Sequence, residues 1–161
     1  MTAVIGVRAA DPKPAPRTEV IFSEPEKFSD AADGQRGSEY GRDAILDELR
    51  QHIVRKANSY VAEGQHLTVT ITEVDLAGEV EPWRSPQAHD VRIIKDIYSP
   101  RIDLSYKLVD AKGAVVKEGK RELRDLTYTM NLHTTDRSDR RLYEKELLDN
   151  WLRTEFAPAK K

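Results

Sequence analysis

The chain has 161 residues, 39% of them hydrophobic and 34% charged, with a net charge of −2 and no cysteine. This length fits one domain with a single core. Disulfides, thiol catalysis and thiolate metal sites are excluded, interleaved charges give no broad basic face for nucleic acid, and no apolar run approaches a membrane span.

Residues 1–17 carry Pro12, Pro14 and Pro16 and are expected to form a disordered Pro-rich leader or linker. The short apolar piece Ala3–Val7 is below signal-peptide length and lacks a basic flank. Thr18–Phe22 alternates and predicts a short edge strand, ended by Ser23-Glu24-Pro25. Asp30–Gly41 reads as a loop, with Ser38 as helix N-cap. Its Asp33–Ser38 stretch is glycine-rich, but it matches neither phosphate-binding spacing, and Glu39 and Asp43 repel anions. A capped loop is the reading. Ile45, Leu46, Leu49, Ile53, Ala57, Tyr60 and Val61 then recur at three and four, predicting an amphipathic helix over Glu39–Glu63 stopped by Gly64.

His66–Leu76 predicts a strand whose apolar parity changes between Ile71 and Val74. A bulge near Thr72-Glu73 is therefore expected. Glu73, Asp75, Glu79 and Glu81 read as solvated strand-end charge. Glu79–Asp90 is a long loop with an isolated Trp83, and loops of about a dozen residues are often functional. Val91–Ile94 predicts a buried strand, followed by a polar corner of Asp96, Tyr98, Pro100 and Arg101. Ile102, Leu104, Tyr106 and Leu108 form the best alternating run. Asp110–Gly113 is a hairpin turn, and Ala114–Leu123 returns, with Gly119 as a candidate bulge. Leu126, Tyr128, Met130 and Leu132 predict a further extended segment. Ser138 or Asp139 caps a second helix over Arg140–Phe156, and residues 158–161 form a frayed tail. The expected fold is α+β over residues 18–157: a two-layer sandwich with a mostly antiparallel sheet of four to six strands and two helices packed on one face.

His52, His66, His89 and His133 lack metal-ligand spacing, and no G-x-S-x-G elbow is present. No metal, cofactor or catalytic residue is assigned. Lys117, Lys120, Arg121 and Arg124 alternate with acids and read as a solvated face, without the aromatic platform that single-stranded nucleic acid uses. The corner holds the candidate site. Arg101 either closes a structural pair with a carboxylate or holds an anion, with Trp83 as lid or partner anchor. Asp75, Trp83, Asp96, Tyr98, Arg101 and Asp103 are the candidate ligand- or partner-binding residues.

The stretches ITEVDLAGEVEPW (Ile71–Trp83), RIIKDIYSPRIDLSYKLVDAKGAVVKEGKREL (Arg92–Leu123) and YEKELLDNWLRTEF (Tyr143–Phe156) resemble a bacterial family catalogued as domain of unknown function 3016, as do the first helix and VIFSEPEKFSD (Val20–Asp30). The resemblance implies a small exported protein with its signal peptide removed, hence the periplasm, and supplies no catalytic residue. The resulting expectation is an envelope binding domain without catalysis, its partner a protein or small ligand. The alternative is a hydrolase using Asp75 or Asp96 for acid–base chemistry, with Arg101 holding an anionic substrate. Nucleic-acid binding ranks last on charge.

Overall fold

A computed structural model describes residues 16–30, 39–81, 83, 92–130 and 138–157. Residues 1–15 of the expected leader, the Asp33–Ser38 loop with its cap, most of the loop around Trp83, Val91, Leu132 and the 158–161 tail lie outside the described residues. The elements are β1 (Thr18–Phe22), α1 (Glu39–Ala57), β2 (His66–Asp75), β3 (Glu79–Val80), β4 (Arg92–Ile93), β5 (Arg101–Val109), β6 (Val115–Arg124) and α2 (Leu142–Phe156), with a 3₁₀ turn over Pro25–Lys27.

Four strands form one sheet in the order β1-β2-β5-β6. β2, β5 and β6 pair antiparallel, while β1 runs parallel to β2. Parallel neighbours need a long crossover, and α1 provides it. β3 and β4 make a separate antiparallel pair. The α+β class stands, with a sheet that is mixed.

Strand register explains why one face is covered. Leu67 lies opposite Leu108, Val69 opposite Tyr106 and Ile71 opposite Leu104. Each of these side chains is buried, together with Leu49, Ile53 and Ala57 of α1 and Leu148, Trp151 and Leu152 of α2. α1 packs on β1, α2 on β6, and the helices on each other. Fully burying one such aliphatic side chain contributes about 1.5–3 kcal/mol. The opposite row includes Thr68, Thr70, Ser105 and Lys107, which line a shallow basin on the sheet's other face with Glu118 and Lys120.

The bulge falls where the parity change demands it. Ile71 pairs with Leu104 and Glu73 with Asp103, so Thr72 is skipped. Val74 and Leu76 thereby return to the core. The hairpin also follows its sequence. Asp110 Oδ1 accepts from the amides of Lys112 and Ala114 at 2.8 and 3.0 Å, and Gly113 takes a left-handed φ of 81°.

Other expectations are corrected. α1 ends at Ala57, not at Glu63, because Asn58-Ser59 favour turns; the Tyr60 and Val61 amides bond back to the Ala57 carbonyl. Gly64 serves the turn into β2 with φ 81°. The apolar run before the corner yields only the two-residue β4; Ile94 is exposed and Ile97 76% exposed. Leu126–Met130 is a series of turns, with Tyr128 buried but Leu126 and Met130 exposed. Among its described apolar members only Tyr128 is buried, so the alternation there does not mark a strand. Gly119 makes no bulge. It pairs in register with Tyr106, and a Cβ there would lie 3.1 Å from the Tyr106 hydroxyl. The register instead shifts at Leu108–Val109.

Lys117 and Arg121 also depart from a solvated face. They share β6's inner row with Gly119, and both reach Glu155 of α2, each at 2.9 Å. The Tyr106 hydroxyl donates to the same carboxylate. Tyr106, Trp151 and Phe156 stack around it, with ring centroids 5.4 to 5.8 Å apart. Burial alone would raise the Glu155 pKa, but the donors from Tyr106, Lys117 and Arg121 outweigh it and hold the carboxyl at about 2. Burial, then the Glu155 acceptor, pushes the Tyr106 hydroxyl up to about 12.

A carboxyl lowered on folding stabilises above its unfolded value, near 4.5 here, and that contribution is lost as pH falls toward about 2. Glu155→Gln is expected to cost about 2 kcal/mol at neutral pH. Urea unfolding at a series of pH values should show a flatter acid limb for the variant below pH 4.5. Parallel limbs for the two proteins would refute the assignment.

Candidate functional site

Past Asp75 the chain leaves the sheet but stays buried: Leu76, Ala77 and Gly78 are all covered, yet belong to no strand. Buried peptide groups need partners, and no ladder supplies them here. Side chains and one carbonyl from distant segments do. The Leu76 amide donates to Asp30 Oδ2 at 2.6 Å, the Ala77 amide to Glu144 Oε1 at 2.7 Å, and the Gly78 amide to the Tyr98 carbonyl at 2.9 Å. Arg92 donates from Nε to the Ala77 carbonyl at 2.8 Å and from Nη2 to the Leu76 carbonyl at 3.3 Å. The same Nη2 pairs with Asp30 at 2.5 Å.

Each partner is placed by its own element. Asp30 follows the 3₁₀ turn, and its amide bonds to the Val74 carbonyl. Arg92 opens β4. Glu144 sits in the first turn of α2, where an acid suits the helix dipole. It is 1% exposed, its Oε2 has no hydrogen-bond partner among the described residues, and burial raises its pKa against the pull of the Ala77 amide. Gly78 has φ 80°; a Cβ there would lie 2.7 Å from Ile94 Cδ1 and 2.8 Å from the Ile93 carbonyl oxygen.

Asp75 borders this node. Burial, the Asp30 charge and a hydrogen bond with Asp30 raise its pKa to about 6, with Arg92 opposing. A like charge beside a carboxyl disfavours its ionised form, so Asp75 keeps its proton to higher pH. The reading of strand-end acids as solvated is therefore corrected at Asp75, and again at Glu81. Glu81 is 2% exposed and accepts from Lys95 Nζ at 2.5 Å and the Tyr98 hydroxyl at 2.8 Å. The Tyr128 hydroxyl donates to the Lys95 carbonyl at 2.7 Å, and its ring meets Tyr143 edge-on at 4.8 Å.

The six sequence candidates divide. Arg101 makes a two-pronged pair with Asp103, at 2.9 and 2.6 Å, and sits opposite Asp75 in strand register. Tyr98 is tied to Glu81, and Asp96 accepts from the Thr129 hydroxyl. Trp83 is 73% exposed. Of the six, Tyr98 reaches the node through its carbonyl, which accepts the Gly78 amide, and Asp75 borders it beside Asp30. Sequence reasoning missed Asp30, Arg92, Glu144, Glu81 and Lys95. Glu144 did carry a signal: it occupies the buried row that continues as Leu147, Leu148, Trp151 and Leu152.

α2 begins without a side-chain cap at Arg141; the Asp139 carboxylate instead accepts the Arg141 amide at 2.8 Å. A second tie joins the helices. Buried His52 Nε2 lies 2.7 Å from Asp149, and Lys56 Nζ lies 3.4 Å from the same carboxylate. Among the described residues no three His, Asp or Glu side chains cluster as a metal site.

A raised carboxyl makes folding less favourable as pH climbs from its unfolded value, near 4, through about 6. A carbon-13 NMR titration should give Asp75 a midpoint near 6, moved down by Asp30→Asn. An ordinary midpoint in the unmutated protein would contradict the influence of burial and Asp30 on Asp75. Gly78→Ala should cost about 2–4 kcal/mol in urea unfolding, from backbone strain and overlap together. A loss under about 0.5 kcal/mol, the ordinary surface range, would show the joint to be loose.

The family model described as "Protein of unknown function (DUF3016)" matches residues 16–154. No curated protein and no solved structure matches the chain. No helix among the described residues is long and apolar enough to cross a membrane. Matched over nearly its whole described length, the chain belongs to the DUF3016 family.

Proposed function

We propose that this domain is a binding module of the bacterial envelope, acting in the periplasm without catalysis, with Trp83 as anchor for a protein or small ligand. The observation that carries the reading is the exposure of Trp83, 73%, two residues beyond the fully buried Glu81. An indole left in water beside a fixed chain position suits a partner hot spot, since tryptophan combines large apolar area with few rotatable bonds. The charged corner supports the same reading. Arg101 is engaged by Asp103, and Asp96 by Thr129, so both hold shape at the strand end. The periplasmic assignment is supported by the family resemblance.

Asp75 favours a second reading. A carboxyl near pKa 6 beside Asp30 and Arg92 has the titration a general acid or base needs, and a hydrolase would use it. The two readings part at different residues.

A photo-crosslinking amino acid at position 83, expressed in the native host, should give a defined adduct that the same probe at exposed Lys27 does not. Trp83→Ala should leave the unfolding midpoint unchanged while weakening that partner's binding at least tenfold. Equal adducts at both positions, or turnover of ester, phosphoester or glycoside chromogens abolished by Asp75→Asn, would overturn the binding reading.

A further inference from the structure

β6 ends the sheet, and among the described residues no strand pairs with its outer edge. It is ten residues long and exposed over most of its length. An edge like this offers a row of backbone donors and acceptors to another strand, and proteins commonly block it with lysines. Here the inner-row cations turn toward α2, although Arg121 also donates from Nη1 to the Lys120 carbonyl at 2.7 Å. Lys117 and Arg121 fold back onto Glu155, each at 2.9 Å. The outer row reads Glu118, Lys120, Glu122, Arg124, strictly alternating in sign.

We infer that β6 pairs antiparallel with β6 of a second copy of this chain, about a two-fold axis at Arg121. Two-fold pairing across an edge keeps like faces together, so only registers that shift by two residues need comparison. Centred on Lys120, the strands would set Lys120 against itself and Glu118 against Glu122. Centred on Gly119, they would match Glu118 with Lys120 but leave Glu122 facing Val116. Centred on Arg121, every outer-row residue meets its opposite: Glu118 faces Arg124 of the second copy, Lys120 faces Glu122, and the symmetry mates repeat both pairs. On the inner row Gly119 then faces Leu123, and Lys117 lies at the end of the paired stretch. The Arg121 side chains meet near the axis, but each already holds its own Glu155 at 2.9 Å. The same register carries Val116, 52% exposed, to the end where Leu126 of the second copy, 67% exposed, follows β6. Opposite charges facing across strands contribute favourably and like charges oppose, so the alternation selects this register. Main-chain hydrogen bonds supply affinity, as in other strand additions.

Two basins lined by Thr68, Thr70, Ser105, Lys107, Glu118 and Lys120 would then lie on one continuous eight-stranded face. The surface does not depend on Trp83 or on the binding reading above.

Sedimentation equilibrium of the full chain, from about 1 to about 300 µM to cover weak association, tests the proposal. The expected result is a monomer–dimer equilibrium. Glu118→Lys with Glu122→Lys makes the row all basic, and Lys120→Glu with Arg124→Glu makes it all acidic. Each variant alone should be monomeric, with an unchanged circular dichroism spectrum, and an equimolar mixture should dimerise at least tenfold more tightly than either. Arg121→Cys, in a chain without cysteine, should oxidise to a covalent dimer, since facing residues fall within disulfide range. A monomer throughout, a dimer indifferent to the charge variants, or no covalent dimer at position 121 would each overturn the proposal.

Discussion

The structure depends on one requirement: the peptide groups of Leu76, Ala77 and Gly78 are buried where no strand can pair them. β2 stops there because its partner β5 begins at Arg101, opposite Asp75, while the bulge at Thr72 keeps Val74 and Leu76 in the core. Left unpaired, each buried amide or carbonyl would cost about 1–3 kcal/mol. Asp30, Arg92 and Glu144 meet that need from three separate parts of the chain. The first follows β1, the second opens β4 and the third begins α2. One short stretch of backbone thus fixes how the 3₁₀ segment, the small sheet and the second helix sit on the main sheet.

The same requirement explains the odd electrostatics. Glu144 is drawn into an apolar layer because it reaches the Ala77 amide, and burial then raises its pKa. Asp30 is committed to Leu76 and Arg92, so Asp75 beside it faces a carboxylate as well as partial burial. Perturbed titration can mark catalysis, but ion-pair networks that hold structure produce it too. Glu144 holds the Ala77 amide, so structural work accounts for its shift, whereas Asp75 is raised by burial and by the neighbouring Asp30. The Glu155 cluster at the other end of the sheet runs the opposite way. Several donors converge on one carboxylate, its pKa falls, and the end of α2 is fastened to β6.

Much of this was legible in the sequence. Period-two and period-3.6 patterns gave the long strands and both helices. The parity change at Thr72 gave the bulge, and Asp110–Gly113 gave the turn. Patterns failed where the chain is neither regular nor exposed. Ile94 and Ile97 look like core by type yet face outward, because β4 is two residues long. Leu126 and Met130 alternate with Tyr128, but only the tyrosine finds a ring to pack on. Arg101 was visible as a residue needing a carboxylate, and Asp103, two positions on along the same strand face, supplies it. The node was invisible as a unit. Asp30 and Glu144 lie 46 and 67 residues from the amides they accept, and Arg92 lies 15 from the Ala77 carbonyl to which it donates. Contacts that long in sequence follow from topology, which local pattern does not encode. Glu144 was the one member with a local signature, a carboxylate in an apolar stripe.

Native-state amide hydrogen exchange at Leu76 and Ala77 tests the account most directly. If Asp30 and Glu144 hold these amides inside the fold, both should exchange only through global unfolding, with the same free energy as the central β2 and β5 amides. Exchange at Leu76 and Ala77 through local opening, several kcal/mol easier than in the central strands, would contradict the claim that this buried joint organises the fold.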